Sequence, residues 1–478
     1  MKLSWLAVLL ALAPACGDRG GDHEALATTA APSGARASAS AAASASGSQS
    51  AAVSAAPSAP PLAASAAAAK VGPKCAQGKE GSIAISPEAP APDKPLRVML
   101  TTHESAGTLG IVVVEPGGSP TNATTEERLG PPRSAFASVG APKEGKTRII
   151  ATRGDEVVAC RDVEVKERQG VDRRAHGQKP WRVVRGWDAA AEDLYSAWIE
   201  KLFDVDETKS LSVPSLHELT RDANRNFLFD HLGLGEDAPS PEGLRLDPDC
   251  ADLPYTLRAY FAFKMGLPFA FSSCTRGTRQ SAPRCLKHFS SSDKLDQAPP
   301  DRVRRMDRFI RVRLADTVHS GTGRTKGDDD DTDYYPIKLS RETLRPGAIF
   351  ADPYGHVLVV ARRVPQTAER AGALFAVDGQ PDGTVAKKRF WQGNFLFSTS
   401  EPAMGTPGFK RFRPIKLAGD EVVTLDNGSI AVDPVYGDID QAQATMDARA
   451  FYDAMDDVLS PQPLDPDRAL AEAVRALH

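Results

Sequence analysis

The sequence has no surplus of charge of either sign, no apolar run of membrane-spanning length after its first residues, and only six cysteines in 478 residues. A net charge of −4 leaves no basic footprint for a nucleic-acid partner, so none is expected. With no later apolar stretch long enough to span, the chain should be soluble and tethered. One segment, "DANRNFLFDHLG", imitates a calcium loop through Asp222, Asn224 and Asn226 but lacks the glycine and terminal glutamate such a loop needs. No metal or cofactor is therefore expected. Large apolar side chains are almost missing from residues 17–73, where Ala, Ser, Gly and Pro dominate. That segment cannot offset its ordering entropy and reads as a disordered tether.

What is there begins with Lys2, the apolar stretch Leu3 to Leu12, and "LAPAC" ending at Cys16. The string resembles a bacterial lipoprotein signal, which implies cleavage before Cys16 and lipidation of that residue. The implied partner is a membrane, reached through the lipid. The implied location is the cell envelope, facing periplasm or exterior, with Gly17 favouring an outer membrane where one exists.

Residues 74–166 carry short apolar or alternating runs ("SIAIS", "LRVMLT", "GIVVV", "SAFASV", "KTRIIAT", "EVVACRDVEV") between turn residues. This predicts an antiparallel β-sandwich, loosely immunoglobulin-like, with a spacer or binding role. Cys75 precedes its first strand and Cys160 lies in its last, placed for a disulfide that pins the two ends.

Helical texture starts near Trp181. "WDAAAEDLYSAWIEKLF" puts Ala191, Leu194, Tyr195, Trp198, Ile199 and Leu202 on one face behind Asp188 as N-cap. A second helix follows Cys250, with Leu253, Leu257, Tyr260, Phe261 and Lys264 at helical spacing and Gly266 and Pro268 as terminators. Cys250 thus opens a helix, where unpaired backbone N–H groups favour a thiolate and can hold an oxyanion. Cys274 and Cys285 bracket a polar loop suited to a local bridge, so with Cys16 given to lipid the count leaves Cys250 as a thiol.

A thiol nucleophile needs a base and an orienting group. His356 opens the strand-like run "GHVLVV" after "RPGAIFADPY", and Asp378 closes the next apolar run, with Gln380 two residues on as understudy. His319, in a Gly/Ser/Thr loop without rigid support, is the weaker rival. These residues resemble the papain-like thiol hydrolases. Asp249-Cys250, Pro346-Gly347 and Gly355-His356-Val357 are similar to the NlpC/P60 pattern, whereas Cys250, Asp252, "LRA" at 256–258, "GLP" at 266–268, His356 and Asp378 are similar to the transglutaminase-like one.

The resemblance implies an α+β domain over residues 181–416, with its N-terminal helix packed on an antiparallel sheet and Cys250, His356 and Asp378 as catalytic residues. Residues 417–478 form a helical extension. Three functions stay open: a cysteine peptidase or amidase acting on peptidoglycan cross-links, a transglutaminase-like protease or acyl-transferase acting on envelope protein, and a catalytically silent binding or structural lipoprotein. The arginine-rich segment 301–314 and the Asp-rich loop 327–336 read as solvated surface, and Trp391 and Phe395 as core.

Overall fold

The computed structural model describes residues 63–474, except 72–74, 76, 77, 79, 105, 169, 369, 463–465, 468, 469 and 471–473. The expected signal segment, Cys16 and the tether as far as residue 62 lie outside the described residues. Among the described residues no helix is long and apolar enough to cross a membrane. The architecture mixes α and β, with antiparallel sheets dominant.

Helix α1 (Ala64–Lys70) differs from the tether expected over this stretch. Its Ala67 is fully buried against Val112, Ile150 and Cys160. An alanine-rich turn has high helix propensity and no bulk to hold it off a sheet, so a short docked helix forms where composition alone suggested open chain.

Strands β1 (Ser82–Ser86), β2 (Leu96–Thr102), β3 (Leu109–Val114), β4 (Thr121–Asn122), β5 (Glu126–Arg128), β6 (Arg133–Val139), β7 (Gly145–Arg153) and β8 (Glu156–Val165) form two four-stranded sheets, ordered β1-β2-β6-β5 and β4-β3-β7-β8. Ile83, Val98 and Leu100 of the first meet Ile111, Val113 and Ile149 of the second in a shared core. Side chains of the opposite parity on the first sheet, Ala84, Met99 and Phe136, are buried as well, in the core of the following helices. Burial on both faces explains why these strands read as apolar runs rather than clean alternation.

Helix α2 (Ala189–Leu202) starts where expected, with the Asp188 carboxylate accepting from the Ala191 N–H at 2.7 Å. After α3 (Leu216–Thr220) comes α4 (Asp252–Met265), which ends at Gly266. Buried all round, α4 carries its charges inward in pairs: Arg258 on Glu192 at 2.5 Å, and Lys264 on Glu236 at 2.7 Å and Asp237 at 2.5 Å. Arg258 pairing holds Glu192 at about 2, despite the opposing effect of its burial.

The main sheet has seven strands, β9 (Ser212–Val213), β12 (Tyr334–Pro336), β13 (Ile349–Ala351), β14 (Val357–Val364), β15 (Ala373–Gly379), β16 (Val385–Arg389) and β17 (Gly408–Phe412), ordered β12-β17-β13-β14-β15-β16-β9. Strands β10 (Ala270–Cys274) and β11 (Cys285–Ser290) form a separate hairpin ahead of α5 (Arg302–Arg308). One face of the main sheet, through Val357, Val359 and Val377, packs on the core of α2 and α4. The other, through Leu358, Val360 and Ala376, is covered by the tail: α6 (Asn427–Ala431) places Ile430 there and α7 (Ala448–Leu459) places Phe451, Met455 and Leu459.

Candidate active site

The start of α4 is set by Asp249. Its carboxylate accepts from the Ala251 N–H at 2.8 Å and the Asp252 N–H at 3.1 Å, and its carbonyl accepts from Leu253 N–H at 3.0 Å. Asp249 closes the turn that leads into α4, and Cys250 lies in that turn, two residues ahead of the first helical residue, Asp252. The Cys250 side chain is fully buried, and its sulfur lies 3.6 Å from the Gly355 carbonyl oxygen. The backbone at Gly379 is equally close, since a Cβ there would stand 2.6 Å from the Asp249 oxygen and 3.2 Å from the Cys250 nitrogen. A side chain at 379 would push the mouth of the helix off the sheet.

His356 is delivered by a tight turn between β13 and β14. The Asp352 N–H donates to the His356 carbonyl at 2.8 Å, the Asp352 carboxylate accepts from Tyr354 N–H at 2.5 Å, and Gly355 takes φ +122°. Only glycine adopts that conformation without strain. On β15, Asp378 is paired in register with Leu358. His356 Nδ1 stands 3.6 Å from Asp378 Oδ1, beyond hydrogen-bond length, and neither atom has another hydrogen-bond partner. The pairing with Asp378 raises the His356 pKa above its ordinary value against the opposing effect of burial. Gln380 Nε2 donates to the other Asp378 oxygen at 2.6 Å, so the understudy orients the carboxylate rather than the imidazole.

The structure therefore joins His356 to Asp378 and brings the Cys250 sulfur against the residue before His356. It does not join His356 to Cys250: no hydrogen bond between them is found among the described residues. Strand alternation supplies the reason. Asp378 shares the face of Leu358 and Ala376, which lies under the tail, while Val377, Val359 and α4 occupy the opposite face.

Cys75 is bridged to Cys160 and Cys274 to Cys285, as expected. The expectation of a leftover thiol is corrected. No cysteine among the described residues is free, and Cys250 is disulfide-bonded. Counting left it over because one cysteine's fate was fixed before the others were paired.

A cavity of about 360 Å³ opens beside the start of α4. Asp247, Asp249, Ala251 and Asp252 form one wall, and Arg276, Arg311, Asp316 and His319 the other. Cys250, His356 and Asp378 do not line it. His319 is held by Cys274, its Nε2 2.6 Å from that carbonyl oxygen. Sequence reasoning missed Asp352, whose carboxyl is pushed up to about 6 by burial near His356 and Asp378. Its one signal is its place in the same turn as the histidine. Phe395 is core, but Trp391 is 40% exposed, because the loop that carries it turns outward past β16.

No family model matches the chain, and no curated protein does. A solved structure, the β-glucosidase from Listeria innocua in complex with glucose, is 14% identical over 18% of this chain and 16% of that one, with a TM-score of 0.15. The chain spans only that small part of the glucosidase, and the likeness carries no argument.

Proposed function

We propose that residues 181–416 are a papain-like thiol-hydrolase core in a resting form, borne behind an immunoglobulin-like β-sandwich. The observation that carries the reading is the Cys250 sulfur, in the turn that leads into a helix, 3.6 Å from the residue before a His356–Asp378 pair. In the active form Cys250 is the thiol, released from its disulfide by a dithiol reductant, and the turn 352–356 rearranges so that the imidazole leaves the Asp378 face of the sheet and meets the sulfur. His356 then takes the thiol proton, and the thiolate attacks an amide carbonyl carbon. The protonated imidazole gives its proton to the leaving amine, and water hydrolyses the thioester.

Amide cross-links of peptidoglycan are the substrate of first choice, because the secretory-signal-like N-terminus would deliver the chain to the envelope that contains them. Transfer of the acyl group to an amine of an envelope protein is the transglutaminase-like variant of the same chemistry. The test is incubation of reduced protein with purified peptidoglycan and, separately, with a glutamine-rich protein and a labelled amine. New muropeptides support hydrolysis, incorporated amine supports transfer, and neither product defeats the enzyme reading.

A second reading, a silent binding or structural lipoprotein, is favoured by one specific observation. Cys250 is buried, oxidised and without a hydrogen bond to His356, as a structural cysteine would be.

A further inference from the structure

Residues 301–316 hold six arginines against three aspartates in a chain that is otherwise slightly acidic. Arg305 is spent internally, donating to the carbonyls of Pro299, Gly177 and Lys179. Arg304 and Arg308 stand exposed one turn apart on α5. Arg311 continues the row on a π-helical turn, Phe309–Leu314, and reaches the wall of the cavity beside α4, which Arg276 also lines. Such turns are uncommon and concentrate at functional sites. Arg313 lies 4.1 Å over the Phe289 ring, with Lys287 at 5.0 Å from the same ring, so the hairpin adds charge of the same sign.

Of this row the neighbouring carboxylates engage Arg311 alone. Asp301 pairs with Arg173 at 2.7 Å, and Asp307 accepts from the Arg245 N–H while standing 3.5 Å from Arg311. Asp316 is exposed on the cavity rim. The cavity lining also includes Asp249, Asp252 and an ion pair of Arg245 with Asp247.

The geometry points to an acidic peptide strand as the ligand of this face: carboxylate side chains on Arg304, Arg308 and Arg311, and the chain running into the cavity beside α4. The inference stands apart from the hydrolase reading, since Cys250, His356 and Asp378 do not line this cavity. Arg304 and Arg308, four residues apart on a helix, are separated by about 6 Å along its axis, close to the roughly 6.6 Å between alternate residues of an extended peptide, so acidic groups at every second position match that pair. A uniformly anionic polymer fits less well, because its inner charges would meet the aspartates of the cavity.

The test measures binding without turnover, on the full chain in oxidised and reduced forms. Three fluorescent probes are compared: an extended peptide with glutamate at alternate positions, the same peptide with glutamine, and a polyphosphate of matched charge. The expected result is tightest binding of the acidic peptide, weakened about tenfold or more by Arg304→Glu combined with Arg308→Glu and by raised salt. Both arginines are exposed, and circular dichroism checks that the variant is folded. Equal affinity of variant and parent overturns the inference, and so does a preference for polyphosphate, which would make this a face for anionic polymers. Acidic-peptide binding without cleavage of any peptide would leave this inference standing and remove the hydrolase reading alone.

Discussion

The sulfur of Cys250 lies 3.6 Å from the carbonyl oxygen of Gly355, and the next residue, His356, turns its ring to Asp378. One backbone unit separates an oxidised sulfur from a polarised imidazole.

Peptide mapping without reduction should recover Cys75 linked to Cys160 and Cys274 linked to Cys285, with Cys250 resistant to alkylation until a dithiol is added. Ready alkylation of Cys250 in unreduced, unfolded protein would contradict its oxidised state.

His356 has a folded-state pKa above the ordinary histidine value of about 6.5, because Asp378 favours the imidazolium. The pair therefore adds stability that is complete below about pH 6.5 and is lost as pH rises through the folded value. In Asp378→Asn the titration of His356, followed by NMR, should move down and this pH dependence should shrink. An unchanged midpoint would show that the two side chains are not coupled.

Asp352 gives the same sign in a lower pH window. Burial raises its carboxyl to about 6, so the folded state binds more protons than the unfolded one between the ordinary value and about 6. Stability falls across that window by up to about 3 kcal/mol. Asp352→Asn keeps the acceptor used by Tyr354 N–H and removes the charge, so denaturant midpoints should rise above pH 6 and change little below pH 4. No gain at neutral pH would mean that the carboxylate is compensated.

Much of α4 was legible in the sequence: its apolar spacing, its Gly266 stop and the placing of Cys250 at its start all stand. The cysteine pairs at 75/160 and 274/285 were legible from spacing alone. What could not be read is which sheet face each strand end presents. His356 and Asp378 share a face by register, and that register comes from pairing across β14 and β15, with a bulge between Val360 and Arg362 that no local pattern signals. The buried charge pairs of α4 were equally hidden, since their partners lie far away in sequence.

Lys264 illustrates that last point. Lys264→Met would leave Glu236 and Asp237 buried without their cation, and a loss of about 3–5 kcal/mol is expected in denaturant unfolding. A loss below about 1 kcal/mol would indicate that the carboxylates find protons or water instead.

The central claim is that Cys250, once reduced, is a nucleophile served by His356. The most direct measurement is the rate of Cys250 alkylation by iodoacetamide against pH, in reduced native protein and in His356→Ala. The account predicts labelling that persists well below the roughly 8.5 of a free cysteine, with its midpoint moving up when His356 is removed. A midpoint near that of a free cysteine, identical in both proteins, would contradict it and leave Cys250 a structural residue.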